Sequence, residues 1–216
     1  LQRELWSDKD NDGRKFCERR QWTDEMLKIA QIGYAAEGAI LQAAYDDDID
    51  MQFLVDHGVM YEHTGRDGVT SYTCAYDHRI AYPVYNQYNE LTAFSFRDDG
   101  HNQAQWNAAH EKRMKMLRDK GDITTYNMEK SQHYGKKCLY MRNEASLEPS
   151  RLQLFGIESA MPAMLHTHDR KMYVVEGQPD QMRIRSLGVE NVVAIMTSSL
   201  TEEQTDQETG AVESWS

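Results

Sequence analysis

Met172-Tyr173-Val174-Val175-Glu176-Gly177-Gln178-Pro179-Asp180 is an apolar run that ends in a carboxylate, a glycine and the opening of a helix. Its spacing predicts a β-strand over 171–175 and a helix over 178–187. A second apolar run at 191–196 follows, so the stretch spells β-α-β at about the length a parallel crossover requires. In open α/β sheets, ligands bind beyond the carboxyl ends of the strands. Glu176 therefore stands where a carboxylate can hold a divalent ion or move a proton. Asp180, one helical turn later, either supports it or favours the helix N-terminus. As bare spacing, a strand that ends in a surface carboxylate is also ordinary.

Upstream of this unit lies a second β signal. Residues 69–75, 79–85 and 91–96 are rich in β-branched and aromatic side chains, and Asn86-Gln87 separates the last two, so 82–96 reads as a hairpin. Pro83 within it predicts an edge or a bulge. Helices are expected over 16–32 as a pair (capped by Thr23 and stopped by Gly33), and over 40–45, 51–57, 103–120 and 151–160. Gly58 and Gly121 fit as C-terminal stops. The helix at 103–120 reads as amphipathic and basic, and residues 1–13 read as a polar arm.

Composition narrows the function classes. The 216 residues have a mean hydropathy of −0.77 and no apolar run long enough for a membrane helix. No apolar h-region opens the chain, which argues against a signal peptide. Three scattered cysteines (Cys17, Cys74, Cys138) give neither a disulfide framework nor a Cys-x-x-Cys zinc site, and fit a reducing, cytoplasmic setting. The net charge of −11 disfavours a generic nucleic-acid binder, yet the charge is segregated. Residues 37–62 hold seven acids and no Lys or Arg, 201–216 hold five acids and no base, and 111–151 hold ten bases against six acids. A basic middle can track phosphates even in an acidic chain.

Other chemistries fit less well. Asp8-x-Asp10-x-Asp12-Gly13 imitates the opening of a calcium loop, but the twelfth position, where a bidentate Glu belongs, is Arg19. His166-x-His168 lacks a third ligand in sequence, and no Gly-x-Ser-x-Gly elbow or Gly-rich phosphate loop occurs. Arg79, Arg97, Arg142 and Arg151 offer planar forks suited to phosphate, the first two interleaved with Tyr82, Tyr85, Phe94 and Phe96. Lys112, Arg113 and Lys115 add cations on the 103–120 helix.

The order of these blocks resembles the DnaG-type primases of bacteria and phages. His78-Arg79-Ile80-Ala81-Tyr82-Pro83-Val84 with Asn89 to Arg97 is similar to that family's hairpin, and Leu154-Phe155-Gly156-Ile157-Glu158-Ser159-Ala160 to its L-Y-G-L-x-x-A helix. Val174-Val175-Glu176-Gly177-Gln178-Pro179-Asp180 resembles the first toprim motif, and Gly188-Val189-Glu190-Asn191-Val192-Val193-Ala194 with Thr197 to Gln204 the segment after it. Phe16-Cys17-Glu18-Arg19-Arg20 through Ile32-Gly33-Tyr34-Ala35 matches the family's first block. The resemblance runs collinearly over 14–204.

It implies an α+β fold: a primase-core N-terminal lobe with a mixed sheet and helices, followed by a partial toprim-like βαβ unit. The chain then divides into the arm at 1–13, the lobe at 14–160 with a basic insertion at 98–139, the toprim-like part at 161–204 and an acidic tail at 205–216. The resemblance further implies RNA primer synthesis from nucleoside triphosphates on single-stranded DNA. Glu176 would be the catalytic and metal-binding toprim glutamate, with Gly177 and Asp180 at that motif's other fixed positions. Arg79, Arg97, Arg142, Arg151, Lys112, Arg113 and Lys115 would line the nucleic-acid and nucleotide groove. Mg²⁺ or Mn²⁺ is the implied cofactor, without zinc. Implied partners are the template, a replicative helicase, or a second chain that completes the toprim fold, in a bacterial cell or phage-infected host. The family's Asp-x-Asp has no counterpart before Ser216, and a lone carboxylate does not build a two-metal site. This chain is therefore expected to be incomplete for catalysis, and a non-catalytic primase-like DNA-binding protein or one half of a split enzyme is the alternative.

Overall fold

In the computed structural model, residues 1–8, 10–130, 138–140, 153–168 and 170–196 are described. Three helices open the chain: α1 (Gln2–Ser7), α2 (Asp12–Arg19) and α3 (Asp24–Ile29). The polar arm expected over 1–13 is instead α1 and the start of α2, because Leu5 is fully buried in the main core. The calcium-like motif has a structural explanation. Asn11 caps α2 by accepting from the Arg14 N–H at 2.8 Å, and a Cβ on Gly13 would meet the Tyr34 ring at 2.5 Å. Thr23 caps α3 as its sequence position predicts, accepting from the Met26 N–H at 3.2 Å.

Gly33 does not merely stop a helix; it begins β1 (Gly33–Ala35). Next come α4 (Ala39–Asp46) and α5 (Met51–Asp56), then a small hairpin of β2 (Met60–Thr64) and β3 (Thr70–Cys74). β2 was not legible, because its Met-Tyr-Glu-His-Thr shows no apolar alternation and only Met60 is buried. β4 (Arg79–Tyr85) and β5 (Leu91–Asp98) form the expected hairpin at the centre of a sheet ordered β1-β4-β5-β6, where β6 is Cys138–Tyr140. Pro83 is tolerated because β1 pairs only with residues 79–81 of β4, so this stretch is an edge on that side, with a register shift just beyond at Val84/Tyr85.

Between β5 and β6 lie α6 (His101–Asp119) and α7 (Ile123–Lys130). α6 forms as predicted but is not amphipathic in its packing: Leu117 alone is buried among its residues. The basic insertion thus leaves the sheet at one strand and returns as its neighbour. The helix expected at 151–160 is instead the strand β7 (Leu154–Phe155) followed by α8 (Ile157–His166), with 151–152 outside the described residues.

The terminal unit matches its reading. β8 (Tyr173–Val175), α9 (Gln178–Ser186) and β9 (Val192–Ile195) form a parallel crossover, and β7 pairs antiparallel to β9, giving the order β7-β9-β8. One core joins this unit to the lobe: Phe155, Met182, Ala194 and Met196 pack with Trp22, Leu27, Ile80 and Tyr82. The Tyr82 ring meets those of Trp22 and Phe155 edge-on, at centroid distances of 6.1 and 6.0 Å.

Candidate functional site

Cross-strand partners in an antiparallel pair point to the same face of the sheet. The β4–β5 register pairs Ile80 with Arg97, Tyr82 with Ser95 and Val84 with Ala93, and this face covers the main core. The other face carries the pairs Arg79 with Asp98, Ala81 with Phe96 and Pro83 with Phe94. Arg79 and Arg97, read together from sequence, therefore project to opposite faces. Arg79 is only 7% exposed.

On the core-facing side, Arg97 joins two arginines that sequence reading had not singled out as phosphate ligands. The guanidinium carbons of Arg19, Arg20 and Arg97 lie 5.9, 5.5 and 6.0 Å from the Phe16 ring centroid. They line a cavity of about 280 Å³ with Asp98, Asp99 and Gln103. The adjacent Arg19-Arg20 pair on the first apolar helix was the available signal; the position of Phe16 under all three needed the fold. Arg19 Nη2 donates to the Asp99 carbonyl at 3.1 Å. Among the described residues neither Arg20 nor Arg97 makes an ion pair.

The two aspartates beside the arginines are engaged elsewhere. Asp98 accepts from the N–H groups of Gly100, Asn102 and Gln103 at 3.2, 3.2 and 3.1 Å. Asp99 accepts from the His101 N–H at 2.8 Å and from the Tyr34 hydroxyl at 2.7 Å. Both carboxylates thus cap α6, whose Gly100 N-cap has no side chain of its own to do so. Burial, reinforced by the Asp99 carboxylate, pushes the Tyr34 hydroxyl well above its ordinary titration range.

The β8–α9 turn approaches the same face of the hairpin. Gln178, at the first position of α9, is buried and donates through Nε2 to the Ser95 hydroxyl at 2.9 Å. Ser95 and Arg97 share a face two residues apart, about 7 Å along a strand. Glu176 itself is solvent-exposed at the carboxyl end of β8, and Asp180 is exposed in the first turn of α9. Gly177 is extended at φ −125°, ψ 147°, and a Cβ there would find nothing nearer than 3.5 Å.

The remaining candidates are dispersed. Lys112, Arg113 and Lys115 are exposed along α6, with Lys112 and Lys115 three residues apart on one side. Arg142 and Arg151 lie outside the described residues. Among the described residues no three His, Cys, Asp or Glu side chains converge to hold a metal ion. No helix among them is long and apolar enough to cross a membrane.

Comparison with known proteins places this arrangement. The family described as the DNA primase catalytic core, N-terminal domain, matches residues 1–116. The DNA primase of Lactococcus lactis subsp. lactis (strain IL1403) is 24% identical over 191 residues, which is 88% of this chain but 24% of that protein. The Escherichia coli primase catalytic core superposes with a TM-score of 0.66 at 18% identity, over 97% of this chain and 55% of that one. The RNA polymerase domain of Mycobacterium tuberculosis primase DnaG in complex with double-stranded DNA gives a TM-score of 0.68 at 17% identity, over 99% and 56%. A DnaG primase catalytic domain bound to single-stranded DNA gives 0.65 at 17%, over 97% and 54%. The chain therefore spans about a quarter of the curated relative and a little over half of the solved catalytic domains.

Proposed function

The chain belongs to the DNA primase catalytic core, N-terminal domain family, and from that membership we propose that it is the template-handling part of a DnaG-type primase. The observation that carries this reading is the cluster of Arg19, Arg20 and Arg97 around Phe16, on the hairpin face to which Gln178 fastens the Glu176 turn. A guanidinium presents paired N–H donors that match phosphate oxygens. With Arg20 and Arg97 outside any ion pair among the described residues, their forks are available to successive phosphates of a single strand. Phe16 orients the three side chains by packing beneath them. The exposed Lys112, Arg113 and Lys115 of α6 extend the cationic track. Arg79, buried on the other face, supports the sheet rather than the strand of DNA.

In the whole enzyme the reaction is primer synthesis. A ribose 3′-hydroxyl attacks the α-phosphorus of a nucleoside triphosphate and pyrophosphate leaves. A divalent ion, when bound, neutralises phosphate charge and aligns the in-line displacement. Glu176 is a fitting donor because it is exposed at a strand end, and Asp180 stands one turn away. Among the described residues no three such side chains converge, and Glu176 is the donor to that centre that they offer. The same observation favours a second reading, a primase-like protein that binds the template without catalysing synthesis.

Two assays separate these. Anisotropy of a labelled single-stranded oligonucleotide should report binding that weakens steeply with salt; binding indifferent to salt refutes the template role. Primer synthesis by the chain with Mg²⁺ or Mn²⁺, lost in Glu176→Gln, supports catalysis. Synthesis that stays absent when a second chain supplies the remaining carboxylates, with binding intact in both proteins, supports the second reading.

A further inference from the structure

The face of the hairpin turned away from the arginine cluster carries a larger opening. A groove of about 1000 Å³ runs between this face and α4, with Ile40, Val59, Tyr76, Phe94 and Phe96 among its lining. Its floor is firm: Tyr76 and Phe96 stack at 4.3 Å and both are buried. Its rim is not covered by the described chain. α4 buries only Ala44, and Tyr45 in the groove lining is 57% exposed; beyond the lining, α5 buries nothing and Ile49 and Phe53 are 42 and 53% exposed. Exposed apolar side chains at this density mark an interaction surface.

The charge around the groove identifies the occupant. Residues 29–65 contain seven acids and neither Lys nor Arg, and the groove lining carries Glu4, Glu37 and Asp46 against Arg3. Among the described residues Glu37 alone of these seven makes an ion contact, with His78 at 3.8 Å. Phosphate backbones are repelled by such a field, and an acidic peptide is too. We propose that this groove is a docking site for a basic amphipathic segment of a partner protein, its apolar face seated on the Tyr76–Phe96 floor and its Lys and Arg side chains on the acidic rim. The mode is that of a helix laid into a groove, read by anchors at one-turn spacing. The template cluster and this groove occupy opposite faces of the same two strands, so one hairpin serves both without competition.

The test uses the full chain and a labelled Leu/Lys peptide of about 18 residues, five helical turns with leucine on one face. Controls are a Ser/Lys peptide of equal charge and a Leu/Glu peptide. The Leu/Lys peptide should bind at least about tenfold tighter than either control peptide. Ala43→Arg combined with Tyr45→Ala, both at exposed positions, should weaken the peptide by at least about tenfold and leave oligonucleotide affinity unchanged. Asp46→Lys with Asp47→Lys serves as the second variant should the first fail to fold. Equal binding of Ser/Lys or Leu/Glu, or indifference to a folded groove variant, overturns the proposal. So does sedimentation showing concentration-dependent oligomers that the peptide disperses, because the groove is then filled by a second copy.

Discussion

Replacing Arg20 and Arg97 together by glutamine is the most direct challenge to the template reading. Glutamine keeps a polar amide on a shorter stem and removes two positive charges. Each phosphate contact on a single strand adds about −0.7 to the slope of log affinity against log salt, so two lost contacts flatten that slope by about 1.4. Between about 50 and 200 mM salt, the affinity gap between wild type and variant should then shrink about sevenfold. At the lower salt the variant should bind at least about tenfold more weakly, since charge-assisted hydrogen bonds contribute about 1.5–3 kcal/mol each.

The assay is oligonucleotide anisotropy across a salt series, with a parallel urea melt to verify folding. A variant that binds weakly but keeps the wild-type slope has lost shape rather than phosphate contacts, and refutes the reasoning. Arg79→Gln supplies the internal contrast. It removes the same charge from the opposite face, so any effect should appear in the urea midpoint and leave the salt slope as it was.

Four further outcomes follow from the geometry. Gly156 sits at φ +89°, and a Cβ there would strike the Gln181 amide that donates to the Val192 carbonyl at 3.2 Å; Gly156→Ala should cost about 1–2 kcal/mol for the left-handed backbone plus about 1 kcal/mol for the displaced bond, by urea unfolding. Tyr34→Phe leaves the buried Asp99 oxygen short of a donor, and should lower stability by about 1–3 kcal/mol in the same assay. Burial raises the Cys17 and Cys74 thiols from 9.0 to about 12, so in a Cys138→Ser background thiol reagents at pH 8 should label the two cysteines only on unfolding. The folded state holds those protons more tightly than the unfolded chain, so the corresponding stability is complete below pH 9 and is lost between pH 9 and about 12. Glu176→Gln, at an exposed position, should shift stability by less than about 0.5 kcal/mol and leave oligonucleotide affinity unchanged while abolishing any primer synthesis.

The β8-α9-β9 crossover and the β4–β5 hairpin were legible because each strand is an apolar or aromatic run bounded by turn residues. What escaped reading was decided by tertiary pairing. β2 pairs with β3 without an apolar face to announce it, and Leu154-Phe155 gains strand geometry only by lying beside Ala194 and Ile195. Leu5 has only Leu1 and Trp6 as apolar company in a polar stretch, too few to establish a period. The site divided in the same way. Glu176 was visible as a strand-end carboxylate, whereas Arg79 and Arg97 looked equivalent until the register sent them to opposite faces. Arg20 acquired a role only once Phe16 brought α2 against β5.

On the template reading proposed above, that register also explains how an acidic chain would hold a polyanion. At physiological salt, charges more than about 8–10 Å apart in solvent are largely screened from one another. A strand of DNA at the Phe16 cavity would therefore respond to the three guanidiniums around that ring rather than to the net charge of −11. The two aspartates within that radius accept from backbone N–H groups at the start of α6, whose helix dipole is positive at that end and offsets part of their charge. Freed from the cap, those carboxylates would compete with phosphate for Arg20 and Arg97. The Asp98-Asp99 cap is therefore as much a part of the cationic site as the arginines, because it keeps the guanidinium forks turned toward a ligand.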